Sequence, residues 1–340
     1  MLRALDRSRF EVIPVGIAAD GRWLRQPDDP QVLRIIDGSL PQVAENGVTV
    51  LPPSWPGGAF LEQSDGAHWR PMDRIDVVFP ILHGPWGEDG TVQGVLETAG
   101  VPYVGSGVLA SAAGMDKAAT KLILAAAGLP VGRWVSFHTR QWASEQPRLT
   151  DQIADLGFPV FVKPCRAGSS VGVSKVAAPA ELGEAIALAA AQDPRIIIEA
   201  GVVNAREIEC GVLVDSDGVP QVSSFGEIRM REGHDFYTFE AKYLDDSADL
   251  IVPAELAAQA VDRMRQMAVD GFTALGCEGL ARVDFFLAPG GEASINEINT
   301  MPGFTAVSMY PRMWGEVGLS YPDLISALID DALRRGTGLR

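Results

Sequence analysis

The sequence predicts an α/β protein built from two or three lobes. Its 340 residues exceed the roughly 100 to 200 that one domain usually holds. The apolar run DVVFPIL, 76–82, is typical of a buried parallel strand, and a helix is expected after it at 91–100. Two later segments, 158–176 and 279–304, each contain two strands joined by a turn. Strands and helices are therefore expected along the whole chain.

Composition and charge describe a globular chain and argue against several classes of function. A net charge of −16 disfavours nonspecific DNA or RNA binding, which needs a basic face. Cys165, Cys210 and Cys277 are far apart and lack CxxC spacing, so neither a disulfide framework nor a zinc site is expected. The first residues, MLRALDRSRFE, are charged and amphipathic, unlike a secretory signal or a membrane span. We therefore expect a cytoplasmic protein without a membrane or nucleic-acid partner.

The amino-terminal third contains one segment suited to ligand binding. Residues 2–7 are typical of the last turns of a helix, and 37–72 are rich in proline, glycine and serine and are expected to be irregular. The segment HGPWGEDG, 83–90, follows the apolar run directly, and its glycines allow tight turns where open α/β sheets bind ligands. His83 at the strand end could act in acid–base chemistry, although a lone histidine is more often structural.

The central hairpin has a tip that could hold phosphate. Lys163 lies on its first strand, and Gly168, Ser169 and Ser170 form the tip. Backbone N–H groups and hydroxyls at such a tip can surround phosphate oxygens, while the lysine supplies a point charge. The chain has no Walker motif, GxxxxGK[ST], and Gly/Ser tips are often simple turns. From the residues alone, both interpretations stay open.

The hairpin at 279–304 suggests a metal site. Arg282 and Asp284 are two residues apart on one strand, as are Glu297 and Asn299 on the other, so each pair projects from one face. If the faces coincide, two carboxylates and an amide meet beside one guanidinium, a set that suits Mg²⁺. The alternative is a solvated hairpin with cross-strand ion pairs. Spacing alone does not choose between them.

Other charged residues are weaker candidates when taken alone. Lys117 begins a helix predicted at 116–127, with Asp116 as its N-cap, and a lysine there is usually solvated. Glu199 and Glu207 flank a break between two strands and could contact a ribose or adenine, or face water.

Several motifs together resemble those of the D-alanine–D-alanine ligases of the ATP-grasp superfamily. They are HGPWGEDG, MDK, KPCRAGSSVGVSKV, EAKY, ARVDFF and NEINTMPGFT, which occur in the family's order and spacing over nearly the whole chain. The resemblance implies a three-lobed ATP-grasp fold. Its lobes would be an N-terminal parallel-sheet domain at 1–105, a central lid at 106–199 and a C-terminal domain at 200–340, with ATP between the last two.

The resemblance also implies a role for each motif residue. Residues expected to contact ATP are Lys117, Lys163, Ser169, Ser170, Glu199, Val202, Glu207 and Lys242. Residues expected to bind two Mg²⁺ or Mn²⁺ ions are Asp284, Glu297 and Asn299. Residues expected to act in acyl transfer are Ser169, Tyr243, Arg282 and Gly303. Residues expected to hold the amino-acid substrates are His83, Ser308 and Met309.

The implied reaction is the ATP-dependent joining of two D-alanines through an acyl phosphate, for peptidoglycan precursors, by a homodimer. Tyr243 favours the dipeptide over the D-lactate ester, while related ligases accept D-lactate or D-serine. The family begins with a strand and a turn, GGxSxEHxVS, whose glutamate binds the first D-alanine. No such motif precedes Met1. An N-terminal lobe lacking its first strand-turn-helix is therefore expected, and an impaired ATP-binding homologue is the alternative.

Overall fold

The computed structural model describes residues 1–31, 42–45, 47–168, 171–230 and 248–338. Four predicted site residues lie outside these ranges: Ser169, Ser170, Lys242 and Tyr243. The α-helices of the described residues are α1 (Thr91–Ala99), α2 (Val108–Met115), α3 (Lys117–Ala126), α4 (Thr139–Ala154), α5 (Leu182–Ala190), α6 (Ala258–Leu275), α7 (Met309–Glu316) and α8 (Tyr321–Arg335). The strands of the described residues are β1 (Val15–Ile17), β2 (Trp23–Arg25), β3 (Thr49–Leu51), β4 (Leu61–Gln63), β5 (Arg70–Pro71), β6 (Trp134–His138), β7 (Val160–Pro164), β8 (Ser174–Val176), β9 (Arg195–Ala200), β10 (Arg206–Val214), β11 (Pro220–Met230), β12 (Ala248–Ile251), β13 (Leu280–Leu287) and β14 (Ala293–Asn299).

The α/β class is confirmed, but the regular sheet of the amino-terminal lobe differs from the expected one. Strands β1 to β5 form an antiparallel sheet in sequence order. Three of these short strands lie in the segment 37–72 that was expected to be irregular. Residues 2–7, expected to be helical, form turns instead.

The parallel strand expected at 76–82 is reduced to one isolated bridge, between Val78 and Tyr103. Val78 N–H donates to the Pro102 carbonyl at 2.8 Å, and Val104 N–H donates to the Val78 carbonyl at 2.9 Å. The next bond of a parallel ladder would need an N–H at residue 80. That residue is proline, which has none. The ladder therefore ends after one step, directly before the glycine-rich segment.

The central lobe is a four-stranded antiparallel sheet in the order β6-β9-β7-β8. Val160 and Val162 of β7 and Ile196 and Ile198 of β9 pack with α4 and α5 into its core. Lys163 projects from the other face of β7, because successive side chains on a strand alternate. The hairpin predicted at 158–176 is confirmed by the pairing of β7 with β8.

The carboxyl-terminal lobe is a five-stranded antiparallel sheet in the order β12-β11-β10-β13-β14. Helix α6 covers one face through residues such as Met264 and Phe272, and α7 packs on β10 and β11 from the other. Helix α6 begins at Ala258, after a non-helical segment. Leu124 of α3 belongs to this lobe's core. The lobe boundaries given above stay predictions.

Two sequence-based exclusions can be compared with the packing. Cys165, Cys210 and Cys277 are buried free thiols. Over the parts of the chain that the structure describes, no helix is both long and apolar enough to cross a membrane.

Candidate active site

The strand register of β13 and β14 answers the question that spacing left open. Arg282 lies opposite Asn299, and Asp284 lies opposite Glu297. Directly opposed residues of an antiparallel pair project from the same face, so all four side chains meet. Arg282 Nε donates to Asp284 Oδ1 at 2.7 Å, and Asn299 Nδ2 donates to Asp284 Oδ2 at 2.9 Å. The faces therefore coincide, as the metal-site hypothesis requires.

Burial and charge distinguish this cluster from a solvated hairpin. Asp284 is 9% exposed and Glu209 on β10 is 5% exposed. Glu209 Oε2 lies 3.2 Å from Arg282 Nε. Burial alone would lower the pKa of Arg282, but Asp284 and Glu209 outweigh it and raise that pKa well above its usual value. With Glu297, three carboxylates face one guanidinium, which leaves an excess of negative charge.

This donor set fits a divalent cation. Asp284 and Glu297 offer carboxylate oxygens and Asn299 an amide oxygen, the hard ligands that Mg²⁺ and Mn²⁺ prefer. Asn299 now directs its Nδ2 towards both carboxylates, at 2.9 Å from Asp284 and 3.5 Å from Glu297. A half-turn of its amide would direct the oxygen there instead. The excess negative charge gives that cation a reason to bind.

A second charged cluster lies on the face of the central sheet opposite its core. Glu199 of β9 binds two lysines: its Oε1 lies 2.8 Å from Lys121 Nζ, and its Oε2 lies 2.5 Å from Lys163 Nζ. Burial alone would raise the pKa of Glu199, but the two lysines outweigh it and lower the pKa to about 2. Burial likewise opposes the charge of Lys163, and Glu199 nevertheless raises its pKa. Glu199 and Lys163 are thus both ionised at neutral pH, and two lysines face one carboxylate in this cluster.

Lys117 is held beside the central hairpin by the start of α3. Asp116 caps this helix, as predicted, by accepting hydrogen bonds from the Ala118 and Ala119 N–H groups at 3.1 and 3.0 Å. Asp116 also forms an ion pair with Arg195 of β9. The Lys117 ammonium donates to the Ala167 carbonyl at 2.7 Å, close to the hairpin tip. A helix start and a strand end thus direct Lys117 and Lys163 towards the same region.

The two clusters share one electrostatic environment. The charges of Glu297 and Glu207 both act on Lys163 and raise its pKa, after the larger effect of Glu199. Cations from the central lobe therefore face carboxylates of the carboxyl-terminal lobe. Such a cleft can hold a polyphosphate together with a divalent cation, since the lysines attract the phosphates and the carboxylates hold the metal.

The glycine-rich segment 83–90 lies against this cleft. Its first turn is closed by Glu88, whose carboxylate accepts a hydrogen bond from the Gly84 N–H at 2.5 Å. His83 Nδ1 lies 3.2 Å from the Met301 carbonyl just beyond β14. Burial raises the pKa of Glu88 to about 7, and the nearby charge of Glu297 adds to this. The contact between His83 and the Met301 carbonyl connects this segment to the end of the metal-site hairpin.

Gly303 and Ser308 come together at the start of α7. A Cβ built on Gly303 would lie 3.3 Å from Ser308 Oγ. Ser308 is the N-cap residue, yet its hydroxyl accepts the Thr305 N–H at 3.2 Å and makes no capping bond to α7. The first N–H groups of α7, including that of Met309, are not bonded by this side chain. A helix start of this kind suits a carboxylate.

The two remaining residues expected to contact ATP, Glu207 and Val202, differ in burial and surroundings. Glu207 lies on β10, partly buried, close enough to act on Lys163. Val202 lies in the exposed turn between β9 and β10, where its carbonyl accepts the Ala205 N–H at 3.4 Å. The structure therefore brings Glu207 to the lysine cluster and leaves Val202 at its edge.

Three charged residues at the site were missed by sequence reasoning. Lys121 follows Lys117 by one helical turn, a spacing that could have drawn attention to it. Glu209 follows Glu207 by two residues and so shares its strand face. Glu88 gave no such signal, because the charges that act on it, those of Glu297, Arg282 and Lys117, are distant in the sequence.

Comparisons with known proteins agree with this geometry. A family described as D-ala D-ala ligase C-terminus matches residues 123–330, and one described as D-ala D-ala ligase N-terminus matches residues 1–106. The D-alanine--D-alanine ligase of Mycolicibacterium smegmatis is 53% identical, across 100% of this chain and 91% of the relative. That of Kineococcus radiotolerans is 50% identical, across 100% and 92%.

Solved structures show the same likeness. The D-Ala:D-Ser ligase VanG from Enterococcus faecalis superposes with a TM-score of 0.81 and 34% identity, covering 97% of this chain and 92% of the other. The D-alanine-D-alanine ligase from Coxiella burnetii gives 0.78 and 33%, covering 98% and 87%.

Proposed function

The chain belongs to the D-alanine–D-alanine ligase family, and we propose that it joins two D-alanines through a D-alanyl phosphate, with ATP as phosphoryl donor. The observation that carries the proposal is the cluster of Arg282, Asp284, Glu297 and Asn299 on one face of β13 and β14, buried at Asp284 and half-buried at the other three, opposite the lysines of the central lobe. This arrangement supports phosphoryl transfer, which depends on positioning and charge more than on covalent catalysis.

The nucleotide phosphates bind Lys117 and Lys163. The Lys117 ammonium binds the Ala167 carbonyl, two residues before Ser169. Ser169 and Ser170 cover the phosphates in the same proposal. Glu199, Glu207 and the backbone at Val202 hold the adenine and ribose. Lys242, which lies outside the described residues, binds the γ-phosphate in the same proposal.

Two Mg²⁺ or Mn²⁺ ions are held by Asp284, Glu297 and Asn299, whose oxygens form a set of hard ligands. When bound, these ions offset the negative charge of the transferring phosphoryl group. Arg282 holds Asp284 in place through its two hydrogen bonds of 2.7 Å.

The chemical steps follow from where charge develops. An oxygen of the first D-alanine carboxylate attacks the γ-phosphorus, and ADP leaves. The amine of the second D-alanine then attacks the acyl carbon, loses a proton, and the C–O bond to phosphate breaks. Arg282 and the Gly303 N–H stabilise the oxyanion of that step. His83, Ser308 and the Met309 N–H orient the substrates, while Tyr243 and Ser169 close the site against water.

The proposal extends to the setting of the reaction. The product is a peptidoglycan precursor, made in the cytoplasm where ATP is available, and the enzyme is a homodimer. Size measurement by light scattering tests the dimer directly: a mass of one chain, 36.3 kDa, would contradict it.

Phosphate release from ATP tests the reaction. With Mg²⁺, we expect release to require D-alanine and to match the dipeptide formed. Asp284→Asn keeps the side-chain shape but removes a ligand charge, so we expect turnover to fall by about a hundredfold or more. The matched control is Asp262→Asn, an exposed position on α6 of the same lobe. ATP binding without release that depends on D-alanine would contradict the proposal, as would full activity of Asp284→Asn.

The second substrate is tested in the same assay. We expect D-alanine to be used in preference to D-lactate and D-serine. Tyr243→Phe should raise the use of D-lactate relative to D-alanine, and an unchanged ratio would count against the role given to Tyr243. A preference for D-serine in the unchanged chain would instead place the activity with that of the VanG neighbour.

A further inference from the structure

Lys121 is a buried cation that the proposed mechanism does not use. It lies one turn after Lys117 on α3, and its whole residue is 2% exposed. Its Nζ lies 2.8 Å from Oε1 of Glu199, while the other oxygen of that carboxylate binds Lys163. A buried charge is costly unless it is paired, so a lysine this deep needs a reason.

The net charge of Lys121, Lys163 and Glu199 explains why a buried lysine is present here. Lys163 and Glu199 alone would form a neutral pair, and the carboxylate would cancel the charge that Lys163 offers to an anion. Lys121 adds one positive charge from the far side of Glu199. The three side chains together then carry a net charge of +1. The interaction between charges is stronger at any given distance in a medium of low dielectric constant, so an anion beside Lys163 experiences this difference.

The choice of lysine fits the same account. Lysine supplies only 5 of the 28 basic residues in the chain, and three of the five are Lys117, Lys121 and Lys163. A lysine ammonium has three donors that rotate around one point charge. Lys163 can therefore hold Glu199 with one proton and offer another to a phosphate oxygen. A guanidinium at either position would engage the carboxylate with two parallel bonds.

We propose that Lys121 is a positioning residue for nucleotide binding: it occupies one oxygen of Glu199 so that Lys163 keeps charge and donors for the phosphates. Glu199 fixes the place of Lys163, and Lys121 limits how strongly Glu199 holds it. This inference rests on the proposed phosphate contact of Lys163. It differs from a purely structural tie between α3 and β9, which would affect folding without affecting phosphate affinity.

The test uses three ligands. A non-hydrolysable Mg–ATP analogue reports on the whole nucleotide, inorganic triphosphate with Mg²⁺ reports on the phosphate contacts without the base, and adenosine reports on the base and ribose without the phosphates. In Lys121→Met we expect the dissociation constants of the analogue and of triphosphate to rise about tenfold or more, with adenosine binding unchanged. In Lys121→Met/Glu199→Gln, the net charge of +1 returns, and triphosphate affinity should recover to within about threefold of the unchanged protein. The matched control is Lys175→Met on β8, an exposed lysine, for which we expect less than a twofold change.

Unchanged triphosphate affinity in folded Lys121→Met would overturn the inference, as would a double variant that binds as weakly as the single one. If Lys121→Met does not fold, Glu199→Gln decides: Lys163 is then no longer neutralised, so triphosphate should bind at least as tightly as in the unchanged protein, and weaker binding overturns the inference. Phosphate release that depends on D-alanine is measured on the unchanged protein in parallel. Its absence would refute the proposed function, whereas its presence with the wrong triphosphate pattern would refute only this inference.

Discussion

Replacing Arg282 by methionine tests how far this arginine offsets the negative charge of the carboxylates at the metal-site hairpin. Arg282 makes two hydrogen bonds of 2.7 Å to Asp284 and an ion pair of 3.2 Å with Glu209. Its side chain is 16% exposed, so water cannot fully replace these contacts. Removing one partner of a buried ion pair costs about 3 to 5 kcal/mol, because the other charge stays buried and unpaired. We expect Arg282→Met to lower the free energy of unfolding of the carboxyl-terminal lobe by this amount.

The same substitution should change the response to divalent cations. Without the guanidinium, the carboxylates of Glu209, Asp284 and Glu297 lose the cation that they share. Mg²⁺ should therefore stabilise Arg282→Met more than it stabilises the unchanged protein, since binding to the folded state alone raises stability by mass action. Arg282→Met/Glu209→Gln should recover part of the loss without Mg²⁺, because one unpaired charge is removed.

Urea unfolding with and without MgCl₂, followed by circular dichroism, measures both effects. Arg263→Met, an exposed position on α6, is the control and should change stability by no more than about 0.5 kcal/mol. The reasoning is refuted if Arg282→Met loses less than about 1 kcal/mol, the value of an exposed pair, or if Mg²⁺ stabilises both proteins equally.

Three further substitutions test single contacts. Burial raises the pKa of Glu88 from its ordinary 4.5 to about 7, so its contribution to stability is complete below pH 4.5 and is lost as pH rises through 7. Between pH 4.5 and pH 7, the stability of the unchanged protein relative to Glu88→Gln should therefore fall by about 1 to 3 kcal/mol, as measured by thermal unfolding. A stability difference that does not change with pH would contradict the burial effect. Asp116→Ala should cost about 1 to 2 kcal/mol in urea unfolding by removing the cap of α3, while Asp116→Asn should cost less; equal losses would mean that the cap does not matter. A Cβ at Gly211 would lie 2.7 Å from Trp314 Nε1, whereas nothing lies within 4 Å of a Cβ at Gly315. Gly211→Ala should therefore lower the free energy of unfolding by about 1 to 3 kcal/mol, and Gly315→Ala should not. A larger loss in Gly315→Ala than in Gly211→Ala would contradict this packing.

Local signals predicted the parts of the site that lie within one hairpin or one helix start. The alternation of Arg282 with Asp284 and of Glu297 with Asn299 specified which side chains share a face, and only the register was needed to join them. Asp116 likewise capped α3 as its position indicated. These features depend on residues close in sequence, which is why the pattern contains them.

The features that the sequence did not reveal depend on longer-range partners. The apolar run at 76–82 has the composition of a strand, yet the missing N–H of Pro80 stops its ladder after Val78. Lys121 has the pattern of an ordinary surface lysine until β9 brings Glu199 to it. The raised pKa of Glu88 arises from burial and from the charge of Glu297, which is distant in the sequence. No local spacing reports such contacts.

Three of the lysines in this acidic chain lie together beside the cleft between the two charged clusters. A net charge of −16 disfavours nucleic acid, while Lys117, Lys121 and Lys163 gather beside one cleft. The carboxylates across that cleft repel phosphate unless a divalent cation lies between. We therefore expect the nucleotide phosphates and the metal ion to bind together, the phosphates at the lysines and the metal at the carboxylates.

Isotope transfer from D-alanine to phosphate tests the proposed reaction most directly. D-Alanine labelled with ¹⁸O in its carboxylate is incubated with the protein, ATP and Mg²⁺, and the released phosphate is analysed by mass spectrometry. If the carboxylate attacks the γ-phosphorus and the amine later displaces phosphate, each phosphate carries one ¹⁸O atom, and one dipeptide forms for each phosphate. Phosphate free of ¹⁸O, or released without dipeptide, would contradict ligation through D-alanyl phosphate.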